Sequence, residues 1–393
     1  MAAGPVRYRR SSFLIFFWKD GRLIVQNYAS GARLTGTPKL VHLLSVLGGW
    51  RSAKSVTAAL GRTDLDQVAG GLAWLADQSI LDRSDRQAST WDEALAGWAR
   101  WTPEATFFHF ATKDVPFTPP AQSEAVLREK AKRQRPPSPL KRVTGVSRVQ
   151  LPLEDANDGV SRTLLQRRTW RRFASESLDL PRLATLLRLT WGVQRWLVVP
   201  GQGKLALKTS PSPGARHNLE AYVLARRVEG LRPGLYHYDP DGHALARLPV
   251  KRTPRISSYL PHQTWYDAAS ALVLMTAVFE RAQWRYGYPA VYRSILIEAG
   301  HFGQSFCLLA TALGLAPFTS GAFADSVIEK DLGIDGARES VVYACGVGRR
   351  PGGLDWAPSP EGFATPRTVA PTYAKSRAAA RPRRAGSNRG RGR

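Results

Sequence analysis

The amino-acid sequence predicts an α+β protein in which helices wrap a mixed β-sheet. Residues 271–279 form a continuous apolar run, which is typical of a strand in a sheet covered on both faces. Residues 292–314 repeat apolar side chains every three or four positions, as a helix does. Shorter runs at 220–226 and 339–346 have the composition of strands. The 393 residues are enough for about two or three domains.

The helix predicted at 292–314 is the element around which the other elements are arranged. It is apolar on nearly every side, so we expect burial almost all round, with Gly314 ending it. A membrane span is the alternative, and the interior Glu298 and His301 argue against it. Together with Gly300 and Gln304 they are the polar or small residues of this helix, and they require partners, for which a ligand is one candidate.

The N-terminal part predicts two strands, three helices and a final strand. This order predicts a winged-helix-like module over residues 1–88. The predicted helix at 65–79 has no Lys or Arg, so DNA reading is not expected. The hairpin edge instead offers a place where an extended peptide adds as a strand. The predicted elements are strands at 13–18 and 22–25 around a turn at 19–21, helices at 38–47, 52–60 and 65–79, and a strand at 80–81.

Two segments carry much of the net charge of +25. Residues 366–393 hold eight Arg and one Lys without acids, which is +9, and we expect a basic disordered tail there. Residues 121–148 hold eight basic and two acidic residues, which is +6. We predict a linker over 89–150, first aromatic and then rich in Pro, Lys and Arg. Nucleic-acid binding and solubilising tails both explain such charge, but no recognition motif accompanies it.

The cysteines and the N-terminus indicate the cellular location of the protein. Cys307 and Cys345 lie in apolar contexts, which excludes a disulfide framework and fits a reducing cytosol. The apolar run after residue 12 is interrupted by Lys19 and Asp20, so a strand is favoured over a signal peptide. We therefore expect a cytoplasmic protein without a membrane segment.

The second domain is predicted over 151–365. A basic stretch at 162–173 ends a helix, and Asp179 caps a helix at 180–190 that stops at Gly192. Turn-forming residues make a loop at 209–218. Further strands are predicted at 234–239 and 244–248.

Separate pieces of this domain share one chemical character. Guanidinium and hydroxyl groups in the basic stretch suit a phosphate monoester, and small residues in two loops let backbone N–H groups approach a flat ligand. Alone, such a basic stretch is usually a solvated face. Dinucleotide, P-loop, metal and nucleophile-elbow motifs are missing from the sequence. The pieces are Arg167, Arg168, Thr169 and Arg171, then 210–215, then 320–322, and finally Arg349 and Arg350.

In order, the motifs RRTWRRF, LPRLATLLRLTWGV, GLYHYDP, YRSILIEAGHFGQSFCLLATALGL and YACGVGRRP resemble the SagB-type dehydrogenases, which are flavin enzymes of the nitroreductase superfamily. The resemblance covers about residues 160–352. The N-terminal module more weakly resembles the peptide-recognition element often joined to such enzymes.

The resemblance implies a nitroreductase-like fold that binds FMN non-covalently at a homodimer interface. The matching phosphate-binding positions are Arg167, Arg168, Thr169 and Arg171, with Arg349 and Arg350 matching less closely. Positions that match the flavin-side loops are Pro211, Ser212, Gly214, Ala215 and Gly321.

Azoline-oxidising members of this family have a Lys-Tyr pair before the central helix, and Arg285 and Tyr286 occupy the matching positions. Arginine does not deprotonate in proteins, so Arg285 would hold an anion or amide while Tyr286 relays a proton or orients the ring. A loop arginine and a packed tyrosine are the plain alternative.

The resemblance implies an FMN-dependent dehydrogenase that oxidises thiazoline or oxazoline rings to azoles in a ribosomally made peptide. Its N-terminal module would hold the leader of the precursor peptide, and a cyclodehydratase would be a partner. Another flavin oxidoreductase activity and a non-catalytic scaffold of a maturation complex are the alternatives.

Overall fold

The computed structural model describes residues 5–86, 90–101, 103–115, 118–134, 158–261 and 263–352, with positions 136 and 138. The tail predicted at 366–393, and nearly all of the predicted linker beyond residue 134, lie outside these ranges. Within them, no helix combines the length and apolar character needed to cross a bilayer.

The helices of the described ranges begin and end as follows. They are α1 Pro38–Val46, α2 Ala53–Ala59, α3 Leu65–Asp77, α4 Thr90–Ala96, α5 Pro103–Ala111, α6 Pro120–Arg133, α7 Gly159–Gln166, α8 Leu180–Trp191, α9 Ile256–Tyr259, α10 Phe279–Arg285, α11 Val291–Ala312 and α12 Asp325–Leu332.

The strands are mostly short. They are β1 Arg7–Arg10, β2 Leu14–Lys19, β3 Arg22–Asn27, β4 Arg33–Thr35, β5 Arg51–Ser52, β6 Leu81–Arg83, β7 Leu178–Asp179, β8 Arg195–Val199, β9 Gly203–Leu207, β10 Leu219–Ala225, β11 Val228–Glu229, β12 Gly234–Asp239, β13 Ala244–Arg247, β14 Ala271–Val278, β15 Leu315–Ser320 and β16 Glu339–Arg349.

A six-stranded sheet in the order β13-β12-β10-β14-β16-β15 forms the centre of the molecule. Its neighbours pair antiparallel, and the parallel pairing among the described strands joins β7 to β11. The strand β14 lies inside this sheet and is buried along seven of its eight residues. Helices accompany the sheet, so the predicted α+β class is confirmed. The described pairings of this sheet are all antiparallel, so the sheet itself is not mixed as predicted.

The sheet has an apolar core on each face, as the continuous apolar run of β14 predicted. One cluster joins Val273 and Met275 of β14 to residues of α8 and α11. The other joins Leu272 and Leu274 to α9 and α12. Because successive strand residues point to opposite faces, alternate residues of β14 enter different cores.

The central helix α11 packs one side against the sheet and α8. Ile295, Phe302 and Phe306 are fully buried there. The expectation of burial all round is wrong for the single chain, because Leu296 is 37% and Ile297 58% exposed. One sheet and one neighbouring helix cover only one side of a cylinder, so the other side faces outward.

The N-terminal part contains the predicted hairpin, three helices and last strand. The hairpin is β2 and β3, and the last strand is β6, which pairs with β1. Val25, Leu44, Val56 and Leu72 belong to a separate apolar cluster. Its assignment as a winged-helix-like peptide-recognition module remains a prediction.

The segment after residue 89 is more ordered than a linker. Trp98 and Trp101 are buried in the large core. Residues 120–133 form the helix α6 instead of an irregular linker. Ala, Glu, Lys and Arg favour helix there, and Glu124–Arg128 and Glu129–Arg133 are ion pairs at i,i+4 spacing.

Candidate functional site

The loop predicted at 209–218 lies beside α11. Its Ser210 hydroxyl is 2.9 Å from the Ser305 hydroxyl of that helix. The loop has left-handed backbone at Gly214, Ala215 and His217, with φ of 60°, 52° and 46°. Such φ values are strained for residues with a Cβ, here Ala215 and His217, which indicates a loop held in shape by its surroundings.

Glu298 of α11 provides much of that support. Its side chain is fully buried, and one carboxylate oxygen accepts hydrogen bonds from the Ser212 hydroxyl at 3.0 Å and the Asn218 amide at 2.8 Å. Burial raises the pKa of the Glu298 carboxyl, and the two donors partly oppose that shift. The Ser212 hydroxyl in turn accepts the His217 backbone N–H at 2.9 Å. One buried carboxyl thus positions both ends of the loop.

Arg285 and Tyr286 lie directly against this loop. A Cβ added to Gly214 would come within 2.5 Å of Arg285 Nε and 2.8 Å of the Tyr286 hydroxyl. Arg285 Nε donates to the Tyr286 hydroxyl at 3.0 Å, and its guanidinium also contacts the Gln202 side-chain oxygen. The absence of a side chain at Gly214 therefore allows the pair and the loop to meet.

An ion-pair network lies beneath the loop. Arg281 donates to the His217 carbonyl at 2.8 Å and pairs with Glu220, which also contacts His237 at 2.9 Å. Burial lowers the pKa of the His217 imidazole to about 4, so this ring is neutral at pH 7. The loop is thereby fastened to the sheet as well as to α11.

The basic stretch 167–171 runs along the edge strand β15. The backbone N–H of Trp170 donates to the Pro317 carbonyl at 2.9 Å, and its ring is 1% exposed. The Arg350 guanidinium lies over that ring, 5.1 Å from its centroid. Arg171 similarly lies 5.9 Å from the Trp265 ring centroid. The structure therefore brings the basic stretch to the residues that follow β16.

Individual members of the basic stretch differ in what they contact. The Arg168 guanidinium donates to the carbonyls of Leu165 and Arg167 at 2.7 and 2.8 Å, so it caps the end of α7. Arg167 is near enough to α11 to favour the Cys307 thiolate, although burial dominates and raises the pKa of that thiol to about 11. Thr169 and Arg349 are exposed.

Both groups of predicted residues therefore lie along one helix. The loop contacts α11 at Glu298 and again at Ser305, and Arg167 favours the thiolate of Cys307, two residues further along. Seven residues separate Glu298 from Ser305, which is roughly 10 Å of helix. The candidate site thus has a loop end and a basic end that meet along α11.

Several buried polar atoms at these two ends have no hydrogen-bond partner among the described residues. At the basic end they are the donors Trp170 Nε1 and Arg350 Nε. At the loop end they are Glu298 Oε1, Asn218 Oδ1 and Arg216 Nε. Unpaired buried polar atoms are costly, so each end is suited to groups brought by a ligand.

Gly321 follows β15 in a turn closed by the Ser320 hydroxyl, which accepts the Ala322 N–H at 3.1 Å. A Cβ at Gly321 would meet nothing within 4 Å. The chain itself therefore does not require glycine at this position.

Sequence reasoning singled out Glu298, a carboxyl inside an apolar helix, but it did not place Asn218, Gln202 or Trp101 at the site. The Trp101 indole N–H donates to the Tyr286 carbonyl at 3.1 Å. These contacts join distant parts of the chain.

Comparison with known proteins gives a consistent result. The model of the nitroreductase family matches residues 164–349. The nitroreductase-like protein MJ1384 of Methanocaldococcus jannaschii is 32% identical over 188 residues, which is 48% of this chain and 89% of that protein.

A second relative comes from peptide maturation. The trifolitoxin-processing protein TfxB of Rhizobium leguminosarum bv. trifolii is 33% identical over 148 residues, 36% of this chain and 39% of that protein. Among solved structures, a chain of the E. coli microcin synthetase McbBCD complex with truncated pro-MccB17 bound has a TM-score of 0.42 at 19% identity. That likeness covers 68% of this chain and 100% of the other, and at this TM-score it says nothing about function.

Proposed function

Because the chain belongs to the nitroreductase family, we propose that it is an FMN-dependent dehydrogenase that oxidises thiazoline or oxazoline rings to azoles in a ribosomally made peptide. The observation that carries this proposal is the meeting of the Gly214 loop with Arg285 and Tyr286. The relative TfxB, named for trifolitoxin processing, supports a peptide substrate.

The unpaired polar atoms are the test of whether FMN fits. A phosphate would complete the donors Trp170 Nε1 and Arg350 Nε, and the edge of a flavin ring offers groups for Asn218 Oδ1 and Arg216 Nε. The chemistry of both ends therefore suits the cofactor. The residues proposed to hold its phosphate are Arg167, Arg168, Thr169, Arg171, Arg349 and Arg350, and those proposed beside its ring are Pro211, Ser212, Gly214, Ala215 and Gly321.

When bound, FMN would accept hydride from the ring carbon next to the former α-carbon and pass the electrons to dioxygen. The chain supplies orientation and proton handling. Forming the azole also removes the proton of the former α-carbon. The Tyr286 hydroxyl accepts from Arg285 Nε and keeps one lone pair, so it would take up that proton while passing its own hydrogen on to solvent. Arg285 keeps its charge and holds the hydroxyl in place. We propose Tyr286 as the proton relay and Arg285 as the anion or amide holder.

We propose that two copies of the chain assemble through the outward side of α11. Leu296, Ile297, Gly300, His301 and Gln304 lie on that exposed side. An apolar pair exposed on a central helix suits a partner of the same kind. The leader of the precursor peptide would be held by the N-terminal module, and a cyclodehydratase would supply the azoline rings.

A synthetic azoline peptide and purified protein test the reaction. We expect a flavin absorption spectrum in the purified protein and formation of the azole, seen as a loss of 2 H by mass spectrometry. The Tyr286→Phe variant should lower kcat by about a hundredfold, in the range of a lost proton relay. Tyr288→Phe is the matched control, since Tyr288 is exposed and its ring lies 5.8 Å from that of Tyr286.

A different flavin oxidoreductase activity is the second candidate. Arg285 favours it, because the azoline-oxidising relatives resembled by this chain have lysine at the matching position. Flavin-containing protein that leaves the azoline unchanged while reducing other acceptors would support this candidate. Colourless protein that takes up no FMN would instead indicate a scaffold and would refute the dehydrogenase.

A further inference from the structure

A cavity of about 580 Å³ lies where the N-terminal strands meet residues 95–106. Phe13, Tyr28 and Trp50 line it from the N-terminal part, and Trp98 and Trp101 line it from the other part. The two parts also touch through Tyr28 and Phe107, whose ring centroids are 5.7 Å apart. The wall is therefore rich in aromatic rings that a flexible side chain or another ring can pack against.

The same cavity is basic. Its lining contains the guanidiniums of Arg9, Arg83 and Arg86 and the carboxylate of Asp82, a net of 3 − 1 = +2. Arg9 pairs with Asp82 at 2.8 Å, and Arg83 pairs with Asp85 outside the lining at 2.7 Å. These pairs are partly exposed, and exposed pairs are weak enough to exchange partners. An acidic ligand with an apolar or aromatic side chain matches this wall.

Trp101 connects the wall of this cavity to the backbone of Tyr286. Trp101 is 4% exposed, and its indole N–H donates to the Tyr286 carbonyl. Its ring packs edge-on against Trp98, with centroids 5.3 Å apart. Trp98 in turn donates from Nε1 to the Ala337 carbonyl at 2.9 Å. One wall of the cavity is thus fastened to the part of the chain that holds Tyr286.

Two other cavities of the protein serve as controls for the 580 Å³ cavity. One of about 740 Å³ is lined by residues between 18 and 45, and one of about 480 Å³ by residues between 34 and 75. Both linings come wholly from the N-terminal part. Each nevertheless includes an exposed arginine, Arg22 in the first and Arg62 in the second.

We propose that the 580 Å³ cavity binds an acidic segment of the substrate peptide through an apolar or aromatic side chain, and that Trp101 is a positioning residue which couples its occupancy to Tyr286. The identity of the ligand as the substrate peptide rests on the proposed function. Binding at this place brings the peptide to a wall that contacts the backbone of the residue proposed to handle the proton.

Three charge reversals, one in each cavity, test the location. The probe is a short synthetic peptide with a central phenylalanine flanked by aspartates, labelled for fluorescence polarisation with the full-length protein at low salt. Arg86→Glu should weaken its binding by about fivefold, as expected for reversing one exposed charge. Arg22→Glu and Arg62→Glu change the net charge equally and should leave the affinity nearly unchanged.

Variants of the probe peptide provide a second test of the same proposal. Replacing the central phenylalanine by alanine, or the aspartates by asparagines, should weaken binding to the wild-type protein. The location is overturned if Arg22→Glu or Arg62→Glu weakens binding as much as Arg86→Glu does. It is also overturned if the acidic peptide does not bind.

Fluorine NMR tests the coupling. With 3-fluorotyrosine at position 28 or 286, the probe peptide should shift both signals in the wild-type protein. Trp101→Phe keeps a ring but loses the N–H, so the signal at 28 should still respond while the signal at 286 should not. A response at 286 that survives in Trp101→Phe overturns the coupling. The preserved response at 28 verifies that the variant is folded.

These outcomes are separate from the fate of the dehydrogenase proposal. Protein that binds no FMN, yet loses peptide affinity selectively in Arg86→Glu, would refute the oxidation chemistry and leave the peptide cavity standing. Flavoprotein that oxidises azolines, with affinity unaffected by Arg86→Glu, would refute the cavity alone.

Discussion

The contact between Gly214 and the Arg285–Tyr286 pair predicts a large effect for a small substitution. Gly214→Ala places a side chain at a φ of 60°, which costs about 1–2 kcal/mol. The new Cβ would also lie 2.5 Å from Arg285 Nε and 2.8 Å from the Tyr286 hydroxyl. Moving each of these side chains about 30° from its rotamer costs about 1 kcal/mol. The free energy of unfolding should therefore fall by about 3–4 kcal/mol.

Gly333→Ala is the matched control for backbone strain. Gly333 ends α12 with a φ of 73°, and a Cβ there would meet nothing within 4 Å. The free energy of unfolding of this variant should fall only by the cost of the left-handed φ, about 1–2 kcal/mol. The difference between the two variants then reports the clash with the Arg285–Tyr286 pair.

Urea denaturation and azoline turnover measure the two consequences. A displaced Tyr286 should lower turnover by roughly a hundredfold in Gly214→Ala, as small misplacements of catalytic groups do. Turnover in Gly333→Ala should stay close to that of the wild-type protein. Equal stability and equal turnover in the two variants would refute the reasoning, because the close approach at Gly214 would then have no energetic consequence.

Two further predictions concern buried carboxyls. Burial raises the pKa of Asp325 to about 6, so its stabilising protonated form is present at acidic pH and lost as the pH rises through about 6. Between pH 4 and 7.5, the free energy of unfolding of the wild-type protein should therefore fall by up to about 3 kcal/mol relative to that of Asp325→Asn, as measured by urea titrations at several pH values. Parallel pH profiles of the two proteins would contradict this. Glu298→Ala leaves the Ser212 and Asn218 donors unpaired and should lower the free energy of unfolding by about 2–4 kcal/mol. Glu298→Gln keeps an acceptor and should lower it by about half as much in the same denaturation assay. Equal losses in the two Glu298 variants would show that the acceptor does not matter.

Local signals explain why most elements of the main sheet and its helices were predictable. Asp179 accepts the Arg182 N–H at 2.9 Å as the N-cap of α8, in agreement with its position before an apolar period. The helix α11 runs within two residues of its predicted ends. Caps and periodicity act within a few residues, so the sequence shows them directly.

Elements without such signals were missed or misjudged. The hairpin of β8 and β9 has exposed apolar residues, among them Leu197 and Val198, and so lacks the alternation of a half-buried strand. The helix α6 lies in a stretch whose flanking prolines suggested a linker. In α11, periodicity showed which residues are apolar, but only the packed chain shows that Ile297 faces outward.

The sequence by itself determined the α+β class, the caps and periods of the main helices and strands, and the residue types suited to an anion and a flat ring. Only the tertiary structure decided that Gly214 meets Arg285 and Tyr286, that Glu298 supports the loop, and that Arg168 caps its own helix. The physical reason is distance along the chain. Glu298 and Ser212 are 86 residues apart, and Trp101 and Tyr286 are 185 apart, so folding alone brings these groups within hydrogen-bond range.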